Sequence, residues 1–139
     1  MPNDPLKTIS VLRPGLFIRE KISPIDLVTE FPSFFKQDDV IRAKYESLGG
    51  AAAWGEPTEK SVGSMWTFPG SAIVYNRKRE AAFEIHGAIY ETWRAAGGLG
   101  FGTPNTDELT TPDGIGRYNH FNEDTASIYW SPGTGAHTI

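Results

Sequence analysis

The chain contains no cysteine. That excludes a disulfide framework, a thiol nucleophile and thiolate metal sites, and leaves the compartment open. No apolar run approaches the ~20 residues that cross a bilayer, so membrane insertion is not expected. A concentrated excess of positive charge is also missing. The formal net charge is -4, and the one tight basic run, Arg77-Lys78-Arg79, is followed at once by Glu80. Nucleic acids and anionic membranes both require a basic patch, so neither is an expected partner, and the run reads as a solvated turn between strands. The amino terminus, MPNDPLKTIS, lacks the charged-then-apolar layout of a signal peptide. No Asn-x-Ser/Thr acceptor occurs, no Gly-x-Ser-x-Gly turn presents a nucleophile, and His86, His120 and His137 show no zinc-motif spacing. No cofactor or metal is expected. Gly97-Gly98-Leu99-Gly100-Phe101-Gly102 closes a helix instead of opening one, so it reads as a helix stop and not as a phosphate-cradling loop.

What is present is a self-match. Ser71–Ile85 and Thr125–Ile139 align without gaps at an offset of 54, which lays Ala72 on Ala126, Tyr75 on Tyr129 and Ile85 on Ile139. At an offset of 48, Ile41, Tyr45 and Gly49-Gly50 fall on Ile89, Trp93 and Gly97-Gly98. Trp54-Gly55-x-Pro57 falls on Phe101-Gly102-x-Pro104 at an offset of 47. Such repetition points to units that bury their apolar faces on one another and bind through a shared surface.

Each unit has a coarse plan. Asp38-Asp39 suit the positive end of a helix, Ile41, Tyr45 and Leu48 form one apolar stripe, and Gly49-Gly50 stop it. A loop ending in proline follows. Met65–Phe68 and Ala72–Tyr75 then read as a hairpin around Pro69-Gly70, matched by Arg117–Phe121 and Ser127–Trp130, with third strands at Ala81–Ile85 and Ala136–Ile139. The expected fold is α+β, a single compact domain of two tandem repeats at residues 40–85 and 86–139. Residues 1–39 form an N-terminal cap, with a small hairpin around Arg13-Pro14-Gly15 and a helix start at Ser23-Pro24-Ile25-Asp26. The array is open after Ile139, a physical reason to expect a homo-oligomer.

Two segments of the second unit carry a family likeness. Asp113-Gly114-Ile115-Gly116-Arg117-Tyr118-Asn119-His120-Phe121 contains Gly-Arg-Tyr-Asn-x-Phe, and Ile128-Tyr129-Trp130-Ser131-Pro132-Gly133-Thr134-Gly135-Ala136 contains Ile-Tyr-Trp followed by Gly-Ala. Over residues 40–139 the chain resembles the LGFP repeat family, although the name-giving tetrapeptide keeps only its glycine and proline. The resemblance implies a non-catalytic role in binding cell-wall polysaccharide or another glycan, in an extracellular or cell-surface setting.

Aromatic faces bind sugars by packing on the C–H face of a pyranose. Aromatics that recur in both units (Tyr45/Trp93, Trp54/Phe101, Phe68/Phe121, Tyr75/Tyr129) read as core. Trp66 and Trp130 do not recur and are the stacking candidates, with Tyr118, Asn119 and His120 as hydrogen-bonding partners. The strand pleat sends Tyr118 and His120 to one face and Asn119 to the other, and the first pair is the preferred one. Asp113 joins them as an acid near His120. The alternatives are a lyase- or cyclase-type enzyme using acid–base residues around His120, and a structural self-assembling repeat protein.

Overall fold

The computed structural model describes residues 32–139, so the expected N-terminal hairpin and the Ser23 helix start lie outside the described residues. Helix α1 (Pro32–Ser47) begins ahead of the Asp38-Asp39 pair. Asp38 therefore does not open the helix. Its carboxylate accepts hydrogen bonds from Trp66 Nε1 at 2.9 Å and Gly63 N at 3.3 Å. Ile41 and Tyr45 form the buried stripe. Gly49 and Gly50 take φ of 110° and 58°, and Gly97 and Gly98 take 122° and 60°, conformations open to glycine without steric cost. A short helix α2 (Gly50–Trp54) follows the first pair, where the sequence suggested only a loop.

Among the described residues eight strands form two antiparallel sheets, each in chain order. The first contains β1 (Glu59–Ser61), β2 (Met65–Phe68), β3 (Ser71–Asn76) and β4 (Ala81–His86). After helix α3 (Gly87–Ala95) and a 3-10 turn at Gly98–Gly100, the second contains β5 (Leu109–Thr110), β6 (Arg117–Phe121), β7 (Ala126–Ser131) and β8 (Gly135–Thr138). The fold is α+β. Strands β1 and β5 were not legible because both are very short and exposed at every residue, which leaves no alternation to detect.

The ladders correct the ungapped self-match. Phe68 pairs with Ser71 across a two-residue turn, whereas Phe121 pairs with Ala126 across four. The following turn is shorter in the second sheet, where Ser131 pairs with Gly135, than in the first, where Asn76 pairs with Ala81. Matching the helix-contacting faces then requires offsets of 53, 55 and 54 for successive strands. A slip of one residue turns a strand over, so the change has consequences. Tyr75 corresponds to Trp130, not to Tyr129, and Trp66 corresponds to Asn119.

The layers follow from this parity. Ile41 and Tyr45 of α1 pack with Trp66, Phe68, Ile73 and Ala82 on one face of the first sheet. The reverse face presents Ala72, Val74 and Ile85 to Ile89, Tyr90 and Trp93 of α3, which also meets Phe121 and Ile128 of the second sheet. Helix α3 thus lies between the sheets, and each such buried side chain contributes roughly 1.5–3 kcal/mol of hydrophobic stabilisation. Two contacts recur. Tyr45 Oη donates to Gly55 O at 2.6 Å and Trp93 Nε1 donates to Gly102 O at 2.8 Å, which explains why an aromatic on each helix accompanies each Gly-x-Pro. Trp54 meets Phe68 edge-on at 5.2 Å and 80°, and Phe101 meets Phe121 at 5.3 Å and 79°.

Candidate functional site

A cavity of about 250 Å3 opens where β4 runs into α3, lined by His86, Gly87, Ala88, Ile89, Glu108, Arg117 and Trp130. Trp130 and Arg117 are direct partners across β7 and β6, so the ladder places both on the face that meets α3. The half-buried indole packs against the core along one side. His86 ends β4 and caps α3 with extended backbone, while no side chain caps the helix and no acid occupies its first turn.

Four ionic groups converge here. His86 Nδ1 lies 2.6 Å from Glu84 Oε1, and His86 Nε2 lies 3.4 Å from Glu108 Oε1. Arg117 Nε lies 3.6 Å from Glu108 Oε2, beyond hydrogen-bond length. The hydrogen bonds to Glu108 and to Glu84 raise the His86 pKa to about 10, against the opposing effect of burial, so the imidazole is cationic at neutral pH. The carboxylates are recessed and the cations are not. Side-chain exposure is 9% for Glu84 and 15% for Glu108, but 47% for His86 and 41% for Arg117.

The surroundings hold this cluster in place. Glu84 Oε2 accepts from Glu108 N at 3.1 Å, and Asp107 Oδ1 accepts from Glu84 N at 3.0 Å. Asp107 Oδ2 accepts from Lys44 Nζ of α1 at 2.6 Å. Asn119 is fully buried, and its Nδ2 donates to Glu84 O at 3.3 Å and to Thr106 O at 2.9 Å. Its Oδ1 is buried with no hydrogen-bond partner among the described residues. Asn119 is therefore a positioning residue beneath the cavity, not one of its walls.

The six residues singled out from the sequence do not form one site. Trp130 lines the cavity. Trp66 is fully buried in the other core cluster, where its indole bonds Asp38 and its ring lies under Arg42 and Lys60 at 4.9 and 4.2 Å, so neither face is open to a ligand. Tyr118 and His120 point to the reverse face of the second sheet. There Tyr118 stacks on Tyr129 at 5.0 Å and 19°, and His120 Nδ1 bonds Ser127 Oγ at 2.7 Å. Among the described residues the His120 ring contacts Ser127, Tyr118 and Tyr129, and Asp113 and Glu123 are not among its partners. Asp113 lies in an exposed turn, where the Thr111 hydroxyl and then the Ile115 N–H hold its carboxyl below the usual range.

Sequence reasoning missed Glu84, His86, Glu108 and Arg117. One signal was available: Glu84 and His86 alternate on one face of a strand that leads directly into a helix. Glu108 and Arg117 offered none, because only the fold brings that loop and strand to β4.

The glycine carbonyl that receives Trp93, the β6 segment ending in Phe121 and the Trp130 strand all fall in one stretch of chain. Residues 101–139 match the LGFP repeat family. The matched LGFP segment supplies Glu108, Arg117 and Trp130 to the cavity, while Glu84 and His86 come from the preceding sheet. No curated protein matches the chain. Among the described residues, no helix is long and apolar enough to cross a membrane, and no group of three or more His, Cys, Asp and Glu residues is placed to hold a metal ion.

Proposed function

We propose that this protein is a non-catalytic glycan-binding module whose site is the Trp130 cavity. One observation carries the reading: an indole wall and a loosely engaged Glu108–Arg117 pair share a space of pyranose size. The C–H face of a sugar packs on the indole. Glu108 holds His86 through one oxygen at 3.4 Å and lies 3.6 Å from Arg117 through the other, so neither oxygen is saturated and both can accept from sugar hydroxyls while the guanidinium donates.

The reading takes residues 40–85 and 86–139 as two units of one plan behind an N-terminal segment at 1–39. The equal strand order of the two sheets, the matched Gly-Gly conformations and the repeated aromatic contacts support it. In this plan the cavity forms between units, so a single unit is not sufficient. The reverse face of the second sheet, with Leu109 38% and Ile139 72% exposed, is the surface through which copies would associate, and light scattering across a concentration series tests that arrangement.

A glycan array followed by tryptophan fluorescence titration of each hit tests the binding reading. Wild type binds saturably, and Trp130→Ala loses binding while keeping its circular dichroism spectrum. Absence of binding to every glycan and wall polysaccharide, or full binding by Trp130→Ala, overturns it.

A further inference from the structure

The same cavity indicates which sugars it takes, an argument that rests on the glycan reading and extends it. We infer that the preferred ligand is an acidic saccharide, one whose pyranose carries a carboxylate, such as a uronic acid residue.

The first ground is the order of the charges. The His86 imidazole and the Arg117 guanidinium line the cavity at 47% and 41% exposure, while Glu108 in the same wall is only 15% exposed and Glu84 lies 9% exposed beside His86. The four groups sum to zero charge, but their arrangement is polar, with the positive end at the mouth. In a recess walled by Trp130 and Ile89 that field is screened less than on open surface.

The second ground is the donors left over. Arg117 gives one hydrogen bond through Nη1, to Gly116 O at 3.0 Å, and its Nε lies too far from Glu108 to bond it. The remaining edge of the guanidinium suits a carboxylate, which it grips with two parallel bonds. The start of α3 lines the same space through Gly87, Ala88 and Ile89, and no side chain caps it. Its partial positive charge adds to that of the two side chains.

The third ground is that the cluster holds its cations for use. Glu108, and then Glu84, which is tied to Glu108 N and lies beside Asn119, keep His86 protonated. The imidazolium remains at the mouth without having to close over it.

A neutral ligand would use Trp130, Glu108 and single hydrogen bonds from Arg117, and gain nothing from the charge of this arrangement. A bare anion would use Arg117 and gain nothing from Trp130. Only an acidic sugar uses both.

The test compares oligouronates of defined length with their carboxyl-reduced counterparts, and with acetate, by fluorescence and calorimetric titration at low and high salt. Wild type is expected to bind oligouronates at least tenfold more tightly than the reduced forms at low salt, with the gap narrowing as salt rises. Arg117→Gln, at a half-exposed position, is expected to bring the two within about threefold, weakening the oligouronates far more than the reduced forms, which lose only a hydrogen-bond donor. Equal binding of parent and reduced forms by wild type overturns the acidic preference and leaves the glycan reading standing. So does an Arg117→Gln variant that loses both equally. Acetate competing at concentrations similar to the oligouronate reduces the site to a plain anion site and overturns the inference. Failure of wild type to bind any saccharide overturns the glycan reading and this inference together.

Discussion

Replacing Trp66 with alanine separates a core tryptophan from a ligand-stacking one. The side chain is fully buried, its ring meets Tyr45 edge-on at 5.5 Å, Arg42 and Lys60 cover it, and its N–H bonds Asp38. Truncating a buried tryptophan costs about 3–5 kcal/mol, from lost burial and from the cavity left behind. The Asp38 carboxylate also loses its donor, although Gly63 N remains within reach and limits that part of the penalty. For a domain of this size roughly 3–5 °C of melting temperature accompanies each kcal/mol, so the midpoint is expected to fall by about 10–20 °C. Trp66→Phe keeps most of the ring, loses the hydrogen bond, and should cost about 1–3 kcal/mol. Urea denaturation followed by circular dichroism measures both, beside a binding titration under conditions where each variant is folded. A Trp66→Ala loss below about 1 kcal/mol would refute the burial argument. A folded Trp66→Ala protein that binds no glycan would place the residue at the ligand after all.

Stability should also fall with rising pH through His86. Its folded pKa of about 10 lies above the ordinary 6.5, so its contribution is complete below about pH 6.5 and is lost progressively toward pH 10. Urea midpoints from pH 6 to pH 10 should decline in wild type, and this part of the slope should vanish in His86→Gln. Gly116→Ala would place a Cβ 2.8 Å from Trp130 O, a backbone atom that cannot swing aside, so the β6–β7 ladder must shift at a cost of about 1–3 kcal/mol. A moved Trp130 emission maximum and weakened glycan binding would report it. Asn119→Ala removes both donors that tie Glu84 O and Thr106 O together. A loss of about 1–3 kcal/mol in denaturation is expected, with glycan affinity falling as well because Glu84 and Glu108 lose their alignment.

Three of the four strands in each sheet were legible because short apolar runs repeat along the chain and their turns are marked by Pro69-Gly70 and by the polar run at Asn122–Thr125. The α1 stripe of Ile41 and Tyr45 and the helix stops at Gly49-Gly50 and Gly97-Gly98 were legible for the same kind of reason. The start of α1 was not, because Asp38 and Asp39 suit a helix terminus by charge alone, while the actual demand on Asp38 comes from Trp66, twenty-eight residues away. The candidate site was legible at one residue, Trp130. Trp66 looked equivalent to it because the ungapped match made both non-recurrent, whereas the ladders match Trp130 to Tyr75 and leave Trp66 matched to Asn119, so non-recurrence did not separate a core residue from a cavity wall.

Local chemistry in the chain determines where helices stop, where strands alternate and which glycines must bend, since each depends on residues a few positions apart. Register and partnership are different. The turn between Ser131 and Gly135 is one residue shorter than its counterpart between Asn76 and Ala81, which sets β7 one residue off the ungapped match and reverses its facing, and that register goes with the packing of α3 against Phe121, Ile128 and Trp130. The ionic cavity was likewise decided only by the tertiary structure. Glu84 and His86 become chemically distinct once the loop at Glu108 and the strand at Arg117 are brought against them, because burial and neighbouring charge, not residue type, set which groups recede and which face the solvent.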